Sequence, residues 1–415
     1  MSKKVIIIGG GIIGLCSAYY LQKEGHQVTI VDQSNLDSGA SYVNAGYLAP
    51  SHIIPLSAPG MMKKGLKWMF NKSSPLYIKP RLDLDFLKWS WAFNKSCNSK
   101  HVNKSIPVIK NIAELSQELY EEITVNEGLD FHHDKRGLLM LCNSERGFDS
   151  EVRISEKAKK AGLKVDILNA KEVQNLESDI SLNTAGATHY MNDTHCTPSE
   201  FMEEMKIFLT KSGVSILKNE EVIKLEFKYD KIEKVKTNLQ TIRADEFVLT
   251  AGTWTNSILK TLGINLLLQA GKGYRIDSVK STGIKMPAIL VESKAAVTPM
   301  NGFTRFAGTM EIAGLNTNIN KTRIQAIANS VKKYYPSIEI SQKEKQKASY
   351  GFRPLSFDGL PYIGKHEKFM NLTIATGHAM LGWTMGAGTG KLVSEIISNS
   401  KSSLNLDPFN VSRKF

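Results

Sequence analysis

Lys4-Val-Ile-Ile-Ile-Gly-Gly-Gly-Ile-Ile-Gly14 decides how the rest of the chain is read. Lys4 to Ile8 is a short strand whose last four residues are apolar, the pattern of a parallel strand covered on both faces. Gly9, Gly11 and Gly14 follow in the spacing GxGxxG, and Ile12 to Glu24 reads as a helix stopped by Gly25. Gln27 to Asp32 is the next strand, so the chain opens as a βαβ unit with an acid where its second strand ends.

Each part has a physical reason. Gly9 makes the tight turn, Gly11 lets backbone N–H groups approach a pyrophosphate, and Gly14 lets helix and strand pack closely. The helix N-terminus, beginning at Ile12, favours the anion. Asp32, with Gln33 beside it, is placed to accept from a ribose hydroxyl. GxGxxG alone is a weak signal; after an apolar strand and before a helix it predicts a dinucleotide site.

A plain nicotinamide site keeps its nucleotide domain contiguous. Here a second strand-to-glycine element, Phe247-Val-Leu-Thr-Ala251-Gly252-Thr-Trp254, lies far along the chain. Val222, in the strand region before it, could hold an adenine through its main chain. A third such element closes the chain: NLTIATG, then His378-Ala-Met-Leu381-Gly382-Trp383-Thr384 and an apolar helix. Several distant segments converging on one ligand suit FAD, whose flavin lies far from its adenine.

The remaining segments are of other kinds. An irregular stretch holds Gly39-Ala40-Ser41-Tyr-Val-Asn44-Ala45-Gly46. MMKKGLKWMF and FLKWSWAF mix lysine with aromatics, Val108 to Glu127 reads as a helix, and Thr197 is placed to cap a helix starting at Pro198. Interleaved domains follow: residues 1–75, 185–260 and 347–415 for the cofactor, and 76–184 with 261–346 for the substrate.

With these motifs, the GFRP at Gly351–Pro354, the KGY at Lys272–Tyr274 and DGLPYIG, the chain resembles the D-amino-acid oxidase superfamily of flavoproteins across essentially its whole length. The resemblance implies an α/β flavoprotein of two domains. A Rossmann-like FAD-binding domain with a parallel sheet is interleaved with a substrate domain on a mainly antiparallel sheet. It also implies oxidative deamination of D-amino acids, D-proline or hydroxy-D-proline among them, by hydride transfer from the α-carbon to the flavin N5. A glycine or sarcosine oxidase on the same scaffold is the alternative, and a non-enzymatic flavin-binding protein a distant third. Some relatives attach FAD to a histidine before an Ala-Gly in the early loop. Asn44 stands there, so noncovalent FAD is expected.

Arg353 is the strongest catalytic candidate, a planar fork for a carboxylate held between Phe352 and Pro354. An ordinary surface ion pair is its bland reading. Tyr274 resembles the tyrosine that adds a hydroxyl to the same substrate, although a tyrosine beside glycine is more often core. His378, flanked by Gly377, could face the flavin; His52 and His195 read more simply as structural. Backbone N–H groups from Leu381 to Thr384 are expected at the pyrimidine edge of the flavin, where negative charge gathers on reduction.

Composition sets the outer limits. At 415 residues the chain is long enough for two or three domains. The net charge of +13 is spread through lysine pairs without a basic block or nucleic-acid motif, so no nucleic-acid partner is expected. Cys16, Cys97, Cys142 and Cys196 have no metal spacing, and reduced thiols in a cytoplasmic protein are expected, with no metal. The lysine–tryptophan segments would suit the inner face of a membrane and a quinone acceptor; oxygen is the other acceptor, and buried helices with snorkelling lysines the plainer reading.

Overall fold

The structure, a computed structural model, describes residues 1–62, 65, 76–79 and 81–414. A six-stranded sheet runs β10 (Ser215–Leu217), β2 (Gln27–Val31), β1 (Lys4–Ile8), β14 (Glu246–Leu249), β21 (Phe369–Thr376), β20 (Tyr362–His366). Its neighbours are parallel except β20–β21. Alternation sends Val5 and Ile7 into one core and Ile6 and Ile8 into another, which is why the opening strand carries no polar residue after Lys4. The first core is closed by α1 (Ile12–Lys23), α4 (Ser99–Glu127), α5 (Pro198–Lys211) and α7 (Gly386–Ser398). The second is closed by α3 (Leu84–Ser96) and by the meander β11 (Val222–Lys228), β12 (Lys231–Thr237), β13 (Thr241–Arg243).

A second large sheet is ordered β19 (Ser349–Ser356), β15 (Leu268–Ser278), β18 (Phe303–Ile312), β17 (Ala295–Met300), β16 (Ala288–Leu290), β6 (Leu138–Cys142), β8 (Gly186–Tyr190), β7 (Val165–Asn169), with β4 (Leu76–Ile78) beside β18. It is antiparallel apart from β16–β6 and β4–β18. Helix α6 (Lys321–Tyr334) covers its back through Ile324, Ile327 and Val331. A small sheet, β3 (Tyr47–Leu48), β9 (Thr194–Cys196), β5 (His133–Asp134), lies where the early loop meets the second large sheet, with the Tyr47 hydroxyl on the Ala288 and Val297 carbonyls.

Sheet and core membership group three segments differently from the expected domain bounds. Residues 186–190 and 349–356, assigned to the cofactor region, are strands β8 and β19 of the second sheet. Helix α4, assigned to the substrate region, buries Ile109, Ile112, Tyr120 and Ile123 in the first core. A strand's pattern shows that it pairs, not with which sheet. Helix α4 also begins at Ser99 rather than Val108, capped by Asn98, and passes through Pro107.

Thr197 occupies the N-cap position of α5 but its hydroxyl makes no cap bond. The segment FLKWSWAF is α3; Phe86, Trp89, Ala92 and Phe93 face inward while Leu87 and Trp91 are exposed. Most of MMKKGLKWMF lies outside the described residues.

Candidate functional site

The glycine fingerprint is built for close approach. Gly9 has φ +106°, and a Cβ on it would stand 2.7 Å from the Thr250 carbonyl oxygen. A Cβ on Gly14 would stand 2.0 Å from the Gly9 oxygen, so helix and strand leave no room there. Gly11 would meet only the Ser41 hydroxyl, at 3.2 Å. The Ile12 N–H donates to that hydroxyl at 2.9 Å, and the N–H groups of Gly11 and Ile13 have no partner among the described residues. Unpaired donors at a helix N-terminus beside an open glycine fit a pyrophosphate.

Asp32 accepts from the Gly10 N–H at 2.8 Å and from the Ser34 N–H and hydroxyl at 2.8 and 2.6 Å. A carboxylate has about four lone-pair positions, so acceptor capacity remains for a ribose. Gln33 beside it is exposed. The Glu220 N–H donates to the Asp32 carbonyl, and Val222 opens β11 two residues later.

The early loop is pinned from below. Ala40 and Ser41 begin α2 (Ala40–Val43). Arg305 donates to the carbonyls of Tyr42 and Asn44, both at 2.8 Å, and Thr298 to that of Ala45. The Asn44 side chain ties Ser41 to Gly46, and Gly46, with φ +76°, lies against the Cys196 carbonyl. Thr250 donates to the Gly9 carbonyl and Thr376 to that of Gly252, next to Ala251, so the first, middle and last strand ends share one crossing. Trp254 meets Phe352 edge-on.

The terminal glycines divide into two groups. Gly377 needs its φ of +83°, and after it the Ala379 N–H donates to the Pro354 carbonyl at 2.8 Å. The Leu381 N–H is taken by the His378 carbonyl, so Leu381 leaves the expected donor row. The N–H groups of Gly382, Trp383 and Thr384 have no partner among the described residues. Gly386, Gly388 and Gly390 serve packing instead: a Cβ on Gly390 would stand 2.5 Å from the Cys16 backbone carbon, and one on Gly386 2.5 Å from the Tyr120 hydroxyl.

Arg353 lies on β19 opposite Gly271 of β15. Its guanidinium lies across Gly273, where a Cβ would be 2.3 Å from Nη1. Gly351, on the same face two residues earlier, faces α2: a Cβ on it would stand 2.3 Å from Val43 Cγ2 and 2.9 Å from Ala40 Cα. Among the described residues the fork has one hydrogen-bond partner, the Thr309 carbonyl at 3.1 Å, and Thr309 itself has φ +56° at an irregular step in the β15–β18 register. No carboxylate pairs with Arg353 among the described residues, so the surface ion-pair reading falls. Burial lowers its pKa to about 10, leaving it charged at neutral pH.

Tyr274 is not brought to this cation. Side chains alternate along β15, so Tyr274 points to the face opposite Gly273. There its hydroxyl donates to Glu311 at 3.1 Å, inside the core shared with α6. His378 is likewise turned inward: its Nε2 lies 3.0 Å from the Thr389 hydroxyl, and burial lowers its pKa to about 3. It is a neutral strut between the glycine stretch and α7. His52 lies beside Ser51 and burial lowers it to about 4.

Gly273, Gly351 and Thr309 were missed as site formers. The two glycines stand in KGY and GFRP, and only the pairing of β15 with β19 shows that they make room around the Arg353 fork.

The model of the family described as FAD dependent oxidoreductase matches residues 4–396. A D-amino acid dehydrogenase of Helicobacter pylori is 30% identical over 409 residues, 98% of each chain. Glycine oxidase from Geobacillus kaustophilus superposes with a TM-score of 0.79 at 20% identity, covering 100% of this chain and 99% of its own. L-proline dehydrogenase from P. horikoshii does so with 0.75 at 18% identity, covering 99% and 97%.

Proposed function

The chain belongs to the FAD dependent oxidoreductase family, and from that premise we propose that it oxidises the α-amino group of D-amino acids, with Arg353 as the carboxylate clamp. That it is an FAD-dependent amino acid dehydrogenase or oxidase follows from the family and its curated relatives. FAD, when bound, supplies the acceptor for the α-hydrogen and its electron pair; the amine is left as an imine, which water hydrolyses to a keto acid and ammonia.

The observation that carries the proposal is the Arg353 fork, charged, without a carboxylate partner and seated over a glycine. An α-carboxylate can take the N–H donors that Thr309 leaves free, which fixes the substrate on the α2 side of the sheet. The unpaired N–H groups at Gly11 and Ile13 would hold the pyrophosphate, and those of Gly382, Trp383 and Thr384 would face the electron-rich edge of the flavin. Holding these main-chain donors before the substrate arrives avoids reorganisation during the reaction.

Anaerobic mixing of the yellow holoprotein with a panel of D- and L-amino acids, including D-proline and hydroxy-D-proline, tests this. Bleaching of the flavin by D-forms is expected. If every D-amino acid leaves the absorbance unchanged, the reading is wrong.

A quinone as the onward acceptor is supported by one surface. Leu82, Leu84, Leu87 and Trp91 are 99%, 71%, 47% and 54% exposed around α3, and Lys95 lies over the Trp91 ring. Aromatic, leucine and lysine side chains in this mixture suit a lipid headgroup boundary. No helix among the described residues is long and apolar enough to cross a membrane, so contact would be peripheral. Co-sedimentation with anionic lipid vesicles, lost in Leu87→Glu/Trp91→Glu, checks the surface; peroxide release in air would point to oxygen instead.

A further inference from the structure

His132, Asp134 and His195 each offer one ligand atom, and the three atoms lie within 4.8 Å of one another. The topology explains the meeting. Asp134 of β5 is in register with His195 of β9, and His132 precedes it by two residues, on the same face of the strand. His133, between them, turns away to the Thr194 hydroxyl and stacks on Phe131.

His195 is fully buried. Its Nε2 lies 2.9 Å from the Pro299 carbonyl oxygen, which can only accept, so Nε2 carries the proton. Nδ1 is then a bare lone pair, and it has no partner among the described residues. A buried, unpaired nitrogen is costly unless something fills it. His132 has its Nδ1 3.2 Å from the Thr197 hydroxyl, which can accept from it, and in that tautomer Nε2 keeps its lone pair. Imidazoles held by a carbonyl or hydroxyl on one nitrogen, with the other free, are typical of metal ligands.

We propose that His132, Asp134 and His195 form a binding site for a divalent first-row transition ion such as Zn²⁺. Two imidazoles and one carboxylate suit zinc, iron, nickel or copper better than magnesium or calcium, which prefer oxygen. Asp134 also takes the Arg136 N–H at 3.0 Å and its guanidinium at 2.7 Å; a carboxylate retains lone pairs beyond these two. The ion would clamp β5 to β9. Strand β9 is in turn held to the cofactor loop, through His195 opposite Tyr47 and the Cys196 N–H on the Gly46 carbonyl at 2.9 Å. The clamp would therefore stiffen the early loop from behind, away from Arg353. It stands independently of the substrate proposed above.

The test uses the full-length holoprotein, stripped with a chelator, dialysed against Zn²⁺ and assayed for bound metal by mass spectrometry. About one tightly held ion per chain is expected, with binding at least about tenfold weaker in His132→Asn and in Asp134→Asn. Both replaced side chains are partly exposed, and the flavin spectrum reports whether each variant keeps its fold. Cu²⁺ loaded in place of Zn²⁺ gives a second readout on the unaltered chain, since its electron paramagnetic resonance counts coordinated nitrogens. No bound ion in the unaltered protein, variants that bind as tightly as the unaltered protein, or a copper signal without imidazole nitrogen would each overturn the proposal.

Discussion

The guanidinium of Arg353 occupies the space that a side chain on Gly273 would fill, with Nη1 only 2.3 Å from the position of the missing Cβ. The cation is placed by an absence on the neighbouring strand, and the two residues are 80 positions apart in the chain. Gly273→Ala should therefore act like a partial loss of Arg353. A charge-assisted hydrogen bond is worth about 1.5–3 kcal/mol, so KM should rise roughly 10- to 100-fold, with a smaller change in kcat and unaltered flavin content. Steady-state kinetics with the best D-amino acid decides; an unchanged KM would detach Gly273 from the clamp.

Arg353→Ala should raise KM further, by about two to three orders of magnitude, because the whole bidentate fork proposed for the carboxylate is lost. Arg353→Lys should recover little of it, since a point charge does not replace the planar fork. Equal KM values for the lysine variant and the unaltered enzyme would contradict a bidentate role.

Tyr274→Phe should leave KM and kcat within about threefold of the unaltered enzyme. Its hydroxyl serves Glu311 behind the sheet, so the loss should appear as about 1 kcal/mol of stability. Thermal unfolding with saturating FAD, set beside kinetics, separates the two outcomes. A large fall in kcat would return Tyr274 to the site.

The glycines of the last motif should separate into two classes. Gly390→Ala forces a methyl to 2.5 Å from the backbone of Cys16, and overpacking of this kind costs about 1–3 kcal/mol. Gly382→Ala meets only His378 Cβ at 3.4 Å, an ordinary contact. The first variant should lose thermal stability and the second should not. Similar melting temperatures would show that α1 and α7 can shift apart freely.

His378 links stability to pH. Burial lowers its folded pKa to about 3, against about 6.5 when unfolded. The unfolded chain thus binds more protons between these values. The contribution is full above pH 6.5 and is lost as pH falls toward 3, at up to about 1.4 kcal/mol per pH unit. His378→Gln should flatten the acid limb of the unfolding curve relative to the unaltered protein. Parallel limbs would mean that His378 is already protonated, and therefore differently placed.

Much of the cofactor side was legible because its signals are local. Apolar Val5–Ile8, the glycine spacing and Asp32 occupy one contiguous stretch, and the reasons for each residue act within a few positions. The residues 251, 252 and 254 could be found the same way, as a strand ending in small residues. The substrate side was legible only as a list of names. Arg353 could be named from GFRP, yet its neighbours come from β15, β18 and α2.

By itself, then, the sequence determined the parallel sheet, the nucleotide turn and Arg353 as the candidate cation for a carboxylate, since these rest on local pattern and residue chemistry. Only the tertiary structure decided which face each side chain of β15 takes, and so set Tyr274 apart from Arg353 and put Gly273 under its guanidinium. It also decided that three of the terminal glycines pack helices, that His378 faces inward, and that His132, Asp134 and His195 meet. The physical reason is common to all of these: strand pairing and helix contact join residues whose separation along the chain leaves no local trace.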